Sequence, residues 1–313
     1  MEHKKRIGKG LLSFVLTLAL VVGTLSGIVP GTSMVAKADG THTHDGITFT
    51  EWTSTNSLPT TAGNYYLAND VTISSTWSVP SGTTNLCLNG HGITMTGSAR
   101  VITIGSGKTL NLYDCDTSTT HHYTISDPAP NGAGLAVVNS SGDKAFTGGY
   151  ITGGVTNSGY NNGSGACVRC DSGNFNMYGG TIIGNQENAG GSSGGGIASF
   201  GGCIRIYGGS VIGNYAVSAA GLYFNGGQHY IYGGEFKFNK AGDVGCANIQ
   251  NTQILGGVFT NNYETGGYGV IISSATYGGN VIIKDNQTGD KIQNVAREGS
   301  GLKIVEPLTN TDP

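Results

Sequence analysis

Apolar residues in the second half of the chain fall into columns once its Gly-Gly pairs are aligned. The pairs begin at Gly148, Gly179, Gly208, Gly233, Gly256 and Gly278, so the spacing runs 31, 29, 25, 23 and 22 residues. The second position past each pair is apolar in every copy: Ile151, Ile182, Val211, Phe236, Phe259 and Val281. The position before it varies freely, through Tyr150, Thr181, Ser210, Glu235, Val258 and Asn280. A restricted column beside an unrestricted one predicts a strand with one buried face. A second anchor lies 12–17 residues past the start of the pair, at Gly196-Ile197, Gly221-Leu222, Gly245-Cys246 and Gly269-Val270. A third precedes the next pair, where Phe175/Met177 and Ile204/Ile206 alternate with polar residues and Ile231 and Ile254 continue the column. Three short strands per turn, with glycine at the corners, predict an all-β chain wound as a parallel β-helix. Each unit buries its apolar face only against its neighbours.

Asparagine repeats in step. Asn185, Asn214, Asn239 and Asn262 each lie six residues after the first glycine of their pair, and the column lapses at Gly154 and Lys284. Stacked at a corner, these amides would form a hydrogen-bonded ladder; a row of ligand-binding amides is the alternative. Earlier, Tyr66-Leu67-Ala68-Asn69-Asp70-Val71, Leu86-Cys87-Leu88-Asn89-Gly90 and Leu110-Asn111-Leu112-Tyr113 show the same rhythm without Gly-Gly pairs and read as earlier coils. Residues 117–147, with Pro128 and Pro130, read as an excursion between the two styles of coil. The organisation expected is a signal peptide over 1–38, an N-terminal tail and cap over 39–63, the β-helix over 64–305 and a C-terminal tail over 306–313, with Leu302 to Val305 adding a last strand.

The opening segment changes the charge balance. Lys4, Lys5, Arg6 and Lys9 precede the apolar run Leu11 to Val22, and Ala36-Lys37-Ala38 offers small residues for cleavage near Ala38, as a secretory signal does. An uncleaved membrane anchor is the rival reading, which Gly23, Gly27 and Pro30 weaken. Removing five basic residues and one acidic residue from totals of 16 and 19 leaves 11 and 18, a net charge near −7. No basic stripe remains for nucleic acid, and no second span crosses a membrane. The expected location is secreted or cell-surface associated.

All six cysteines lie beyond the signal: Cys87, Cys115, Cys167, Cys170, Cys203 and Cys246. An even count in an exported chain permits disulfides. Cys167 and Cys246 fall at matching positions three coils apart, roughly 14 Å at one strand spacing per coil, too far for a bridge. Cys87 with Cys115 is permitted by their neighbouring segments. Cys167-Val-Arg-Cys170 has zinc-like spacing but no second pair or nearby His, so these cysteines read as core filler. No metal and no cofactor is assigned. His42 and His44, near the expected mature terminus, read as a polar tail able at most to hold a metal loosely.

The repeats resemble the pectin-lyase-like right-handed parallel β-helix superfamily, in particular glycine-rich Gram-positive surface and secreted β-helix proteins. YYLANDVTI and LCLNGHGI are similar to their N-terminal coils, and GGTIIGNQ with GGGIAS to their later ones. Similar Gly-Gly-x-Ile and x-x-Asn repeats occur in chlamydial polymorphic membrane proteins. The likeness covers about residues 45–305. It implies a right-handed coil and spans lyases, hydrolases, adhesins and phage tailspikes, so it leaves function open.

Chemistry must therefore be read from clusters. Asp171, Glu187, Glu235, Asp243 and Glu264 read as isolated acids at non-matching columns. Asp114 and Asp116, followed by His121 and His122, form the catalytic candidate, because alternation sets both carboxyls on one face and glycoside cleavage needs two acids. A solvated turn leading into the excursion is the alternative, and the one favoured. Tyr178, Tyr207, Tyr232 and Tyr277 are the binding candidate. They occupy the column beside Met177, Ile206 and Ile231, spaced roughly 4.8 Å apart along one face, where rings suit sugars or partner surfaces; the favoured alternative is a self-stacked ladder. The function expected is an exported noncatalytic module for adhesion or glycan binding, its partner a polysaccharide or a neighbouring cell's surface. The alternatives are a polysaccharide lyase or glycoside hydrolase, and a purely structural stalk.

Overall fold

Each coil of the computed structural model contributes one strand to each of a set of parallel faces. It describes residues 42–158, 163–190, 193–243, 246–267, 271–273, 275–297 and 303–308; the signal peptide expected over 1–38, Gly245, Gly269-Val270 and Leu302 lie outside these. The chain is all-β, a parallel solenoid of about eight turns. The predicted first strand stacks as Ile151, Ile182, Val211, Phe236 and Phe259, each paired in parallel with the next. All five are at most 3% exposed and belong to one continuous core.

The strand before the pair stacks Leu110 on Phe175 on Ile204, then Ile206 on Ile231 on Ile254. The other anchor runs Val168, Ile197, Leu222, Ala247 and Ile271. Cys246 therefore falls one place short of that column and shares Cys167's, beside the close-packed corners Gly196 and Gly221. Besides the three predicted strands, a two-residue strand follows each asparagine, as in Gln186–Glu187, Tyr215–Ala216, Lys240–Ala241 and Tyr263–Glu264.

The two glycines of a pair serve different needs. In the later pairs the second turns left-handed, with φ of 82°, 85°, 100° and 107° at Gly180, Gly209, Gly234 and Gly257, whereas in the earliest pair Gly148 does so, at 86°. The first makes room: a Cβ on Gly208 would lie 2.9 Å from Tyr178 O, and one on Gly233 2.6 Å from Tyr207 O. Glycine alone meets both demands without strain.

The last coil departs from the lettering. Tyr277 pairs with Ile254, and Ile283, not Val281, pairs with Phe259, with a register shift between Ile254 and Gly256. The same slip explains why the asparagine column lapses at Lys284: its next member is Asn286. Amide donates to amide from Asn185 to Asn214 (3.0 Å), Asn239 (3.0 Å), Asn262 (2.9 Å), Asn286 (3.0 Å) and Asn294 (3.2 Å). The ladder is hydrogen-bonded within the fold throughout, which removes the reading of these amides as a ligand row.

Ile93 pairs directly with Ile151 and Leu112 with Met177, so residues 117–147 are an insertion between adjacent coils. The insertion forms a three-stranded antiparallel sheet, Thr120–Ser126, Leu135–Val138 and Lys144–Thr147. It docks over the asparagine corner, burying Tyr123 and Ala136 against Ile183 and Ile212. Ala136 donates to Gly213 O, and Lys240 pairs with Asp127 at 2.6 Å. At the other end, the expected tail is ordered. His42–His44 pairs antiparallel with Ile47–Trp52, whose Thr50 to Trp52 are the first parallel rung against Tyr65 to Leu67. The final rung, Lys303–Leu308, pairs with 276–279.

Candidate functional site

Asp114 and Asp116 do lie together, both beside Gly90, but their oxygens serve the fold. Asp114 accepts from the backbone N–H of Gly90 (2.9 Å) and of Gly149 (2.6 Å), clamping the point where the insertion returns to the solenoid. Burial pushes its carboxyl up to about 6 against the pull of those donors. Asp116 accepts from the Ser118 and Thr119 hydroxyls (2.6 Å each) and from both their N–H groups, a closed turn that holds it well below the usual carboxylate range. His121 is hydrogen-bonded through Nε2 to Gly90 O at 3.0 Å and packs on Tyr150. His122, next on the strand, faces the opposite way and is exposed. The structure thus joins three of the four candidates and separates the fourth.

Two of the acids read as isolated share a column after all. Glu187 and Glu264 each lie eight residues after the first glycine of their pair, at the second position of the short strand, with Ala216 and Ala241 between them. Both are fully buried and hold the following loop: Glu187 accepts from Ala189 and Val217 N–H, Glu264 from Gly266 and Gly267 N–H. At three coils apart, roughly 14 Å, they cannot act as a catalytic pair. Burial raises the Glu187 carboxyl above its ordinary 4.5. A raised folded value means the contribution to stability is full below pH 4.5 and is lost as pH rises through the folded value. Glu187→Gln should therefore flatten that decline in urea or thermal unfolding followed against pH; an unchanged profile would show that Glu187 does not set it.

Tyrosines form one face of the solenoid, though not the four read from the sequence. Tyr113, Tyr178, Tyr207 and Tyr232 stack in series, with centroids 4.6, 4.7 and 4.9 Å apart and planes within 8°. Tyr277 does not join them: the register slip turns it into the column of Ile254, where it is 5% exposed in the core. Tyr113, the member missed, closes the alternating run 110–113 and carries no Gly-Gly pair to mark it. Self-stacking covers the ring faces in the interior of the row. Tyr232, at its end, is 40% exposed. It borders an open groove of about 480 Å³ lined by the three glycine pairs 208–209, 233–234 and 256–257, with Glu235, Leu255 and Asn280 on its rim.

The six cysteines are free thiols. Cys167, Cys170 and Cys246 fill the core, as the sequence suggests. Cys87 and Cys115 sit elsewhere, against the N-terminal hairpin, which corrects the reading of His42 and His44 as a tail. His44 is 6% exposed, and burial lowers its imidazole while Asp45 raises it. One ligand atom from each of His42, His44, Cys87 and Cys115 lies within 4.8 Å of all the others.

Among the described residues no helix is long and apolar enough to cross a membrane. No protein-family model matches this chain, and neither a curated protein nor a solved structure matches it.

Proposed function

We propose that the chain is an exported, noncatalytic β-helix module of the pectin-lyase-like kind, and that it binds glycans at a cell surface. The groove beside Tyr232 carries this reading. Its lining includes glycine backbone from three successive coils, where the lack of side chains lets a polymer approach the main chain. Tyr232 and Leu255 supply an apolar wall for the C–H face of a sugar, and Glu235 and Asn280 supply hydrogen-bonding groups for hydroxyls. The internal bonding of Asp114, Asp116 and His121 favours this over the lyase or hydrolase alternative, because groups already committed to hydrogen bonds within the fold are poorly placed to trade protons with a substrate. The long chain of identical corners favours an extended contact over a closed pocket.

Immobilised acidic and neutral polysaccharides offered to the full chain test the proposal. Tyr232→Ser should weaken binding at least tenfold while the circular dichroism spectrum stays that of the parent. Equal binding by Tyr232→Ser and by Glu235→Gln would remove the groove as the site, and release of reducing or unsaturated sugar ends would transfer the case to the enzyme alternative.

A further inference from the structure

The N-terminal hairpin brings two imidazoles to two thiols that sit far away in sequence. His42 and His44 lie on its first strand, Cys87 at the end of Gly82–Cys87, and Cys115 two residues past Lys108–Tyr113. Cys87 Sγ is 3.6 Å from Cys115 Sγ, Cys115 Sγ is 3.4 Å from His42 Nε2, and His42 Nε2 is 2.8 Å from His44 Nε2. A tetrahedral zinc with Zn–S near ~2.3 Å and Zn–N near ~2.0–2.1 Å has ligand edges of about 3.8 Å between sulfurs, about 3.5 Å from sulfur to nitrogen and about 3.3 Å between nitrogens. The three observed edges follow that order, the two that involve sulfur within about 0.2 Å and the His42–His44 edge about half an ångström shorter. We propose that His42, His44, Cys87 and Cys115 form a structural zinc site that fastens the N-terminal hairpin to the side of the solenoid.

Three features support it beyond the distances. The donor set, two thiolates and two imidazoles, is one that suits zinc and fills a closed tetrahedron, which marks a structural rather than a catalytic ion. The surroundings are aromatic: Tyr66 stacks on His42 at 4.3 Å, and Phe49 meets His42 and His44 edge-on at 5.6 and 4.5 Å. Phe49, Cys87 and Tyr113 form a small core of their own, apart from the main one. An apolar shell of this kind fixes the ligand rings and strengthens attraction to the ion. The topology also gives the ion work to do. His42 to Cys115 closes 73 residues of separation, and among the described residues the hairpin's first strand pairs with Ile47–Trp52 alone. Zinc would deprotonate both thiols on binding and release their protons to solvent, with no oxidant or reductant involved.

The inference is independent of glycan binding and is tested on the full chain, purified with its thiols kept reduced. Zinc should be retained at one equivalent per chain, and cobalt(II) in its place should show the visible bands of tetrahedral thiolate coordination. Cys87→Ser, Cys115→Ser and His42→Gln should each weaken retention by more than the ~10–100-fold typical of losing an outer-shell partner. Zinc should raise the unfolding temperature of the parent but not of the Cys115→Ser variant. His42→Gln changes a residue on the first strand of the hairpin, so an unaltered circular dichroism spectrum separates lost ligation from lost folding. No zinc retained by the reduced chain, or a stoichiometry unchanged in the double cysteine variant, would each overturn the proposal.

Discussion

Asn214→Ala should destabilise the solenoid by about 3–6 kcal/mol, the sum expected when two or three buried polar groups each lose a partner at about 1–3 kcal/mol. Asn214 is fully buried. Its Oδ1 accepts from both the backbone N–H and the side-chain amide of Asn185, at 3.0 Å each. Its Nδ2 donates to Ile182 O at 3.2 Å and to Asn239 Oδ1 at 3.0 Å. Alanine would leave the Asn185 N–H without an acceptor in a corner that the docked insertion seals from solvent, so water could not substitute. The end of the ladder gives the contrast. Asn294 is only half-buried, and Asn294→Ala should cost well under half as much. Urea unfolding of both variants checks this, and equal costs would show that the ladder adds nothing to its separate rungs. Because each coil touches only its neighbours, the loss should also fray the stack from the mutated rung outward, visible as faster amide exchange in the coils on either side.

How much of this was legible follows from what each residue depends on. The columns through Ile182, Val211 and Phe236 were readable because the Gly-Gly pair and the buried position sit within four residues of each other, inside one coil. The asparagine column was readable for the same reason. Register between coils is a different matter. Tyr277-Gly278-Gly279 repeats the lettering of Tyr232-Gly233-Gly234, yet the slip against Ile254 turns Tyr277 inward. Two signals of the slip were present in the sequence: Ile283 is an apolar residue two places late, and Asn286 is the asparagine two places late. Glu187 and Glu264 were missed although their offsets match, because two alanine copies intervene and the acids look unrelated when read singly.

The His and Cys cluster was legible only as two unconnected pairs, His42 with His44 as a loose metal holder and Cys87 with Cys115 as a permitted bridge, and the reason is physical. Its four members come from a hairpin and two coils, at 42, 44, 87 and 115, with no spacing that repeats. Cys87 reaches the cluster because it occupies the same outward column as Tyr66 and Tyr113, between which it is paired. That column becomes visible only once the hairpin is known to fold back over it. A Cys-x-x-Cys pattern drew attention to Cys167 and Cys170 instead, and both point into the apolar core.

Gly209→Ala should cost about 3–5 kcal/mol, and a three-member series can say why. Gly209 has φ of 85°, which an L-residue adopts at a penalty of roughly 1–2 kcal/mol. A Cβ there would also lie 2.6 Å from both Gly180 O and Met177 Cε. Gly180 O is already in use, accepting from Ser210 N–H at 2.9 Å, so pushing it away breaks a rung between coils as well as straining the corner. Gly107→Ala isolates the first effect: φ is 73° and nothing lies within 4 Å, so only the conformational penalty of roughly 1–2 kcal/mol applies. Gly208→Ala isolates the second, since its φ is not left-handed and its Cβ would meet Tyr178 O at 2.9 Å. If the corner works as described, thermal unfolding should rank Gly209→Ala below both, with a cost near the sum of theirs. A Gly209→Ala protein no less stable than Gly107→Ala would mean that coils can separate at the Gly-Gly corner without loss. The pair would then be a conformational device alone, with no part in the close stacking that gives the tyrosine face and its neighbouring groove their shape.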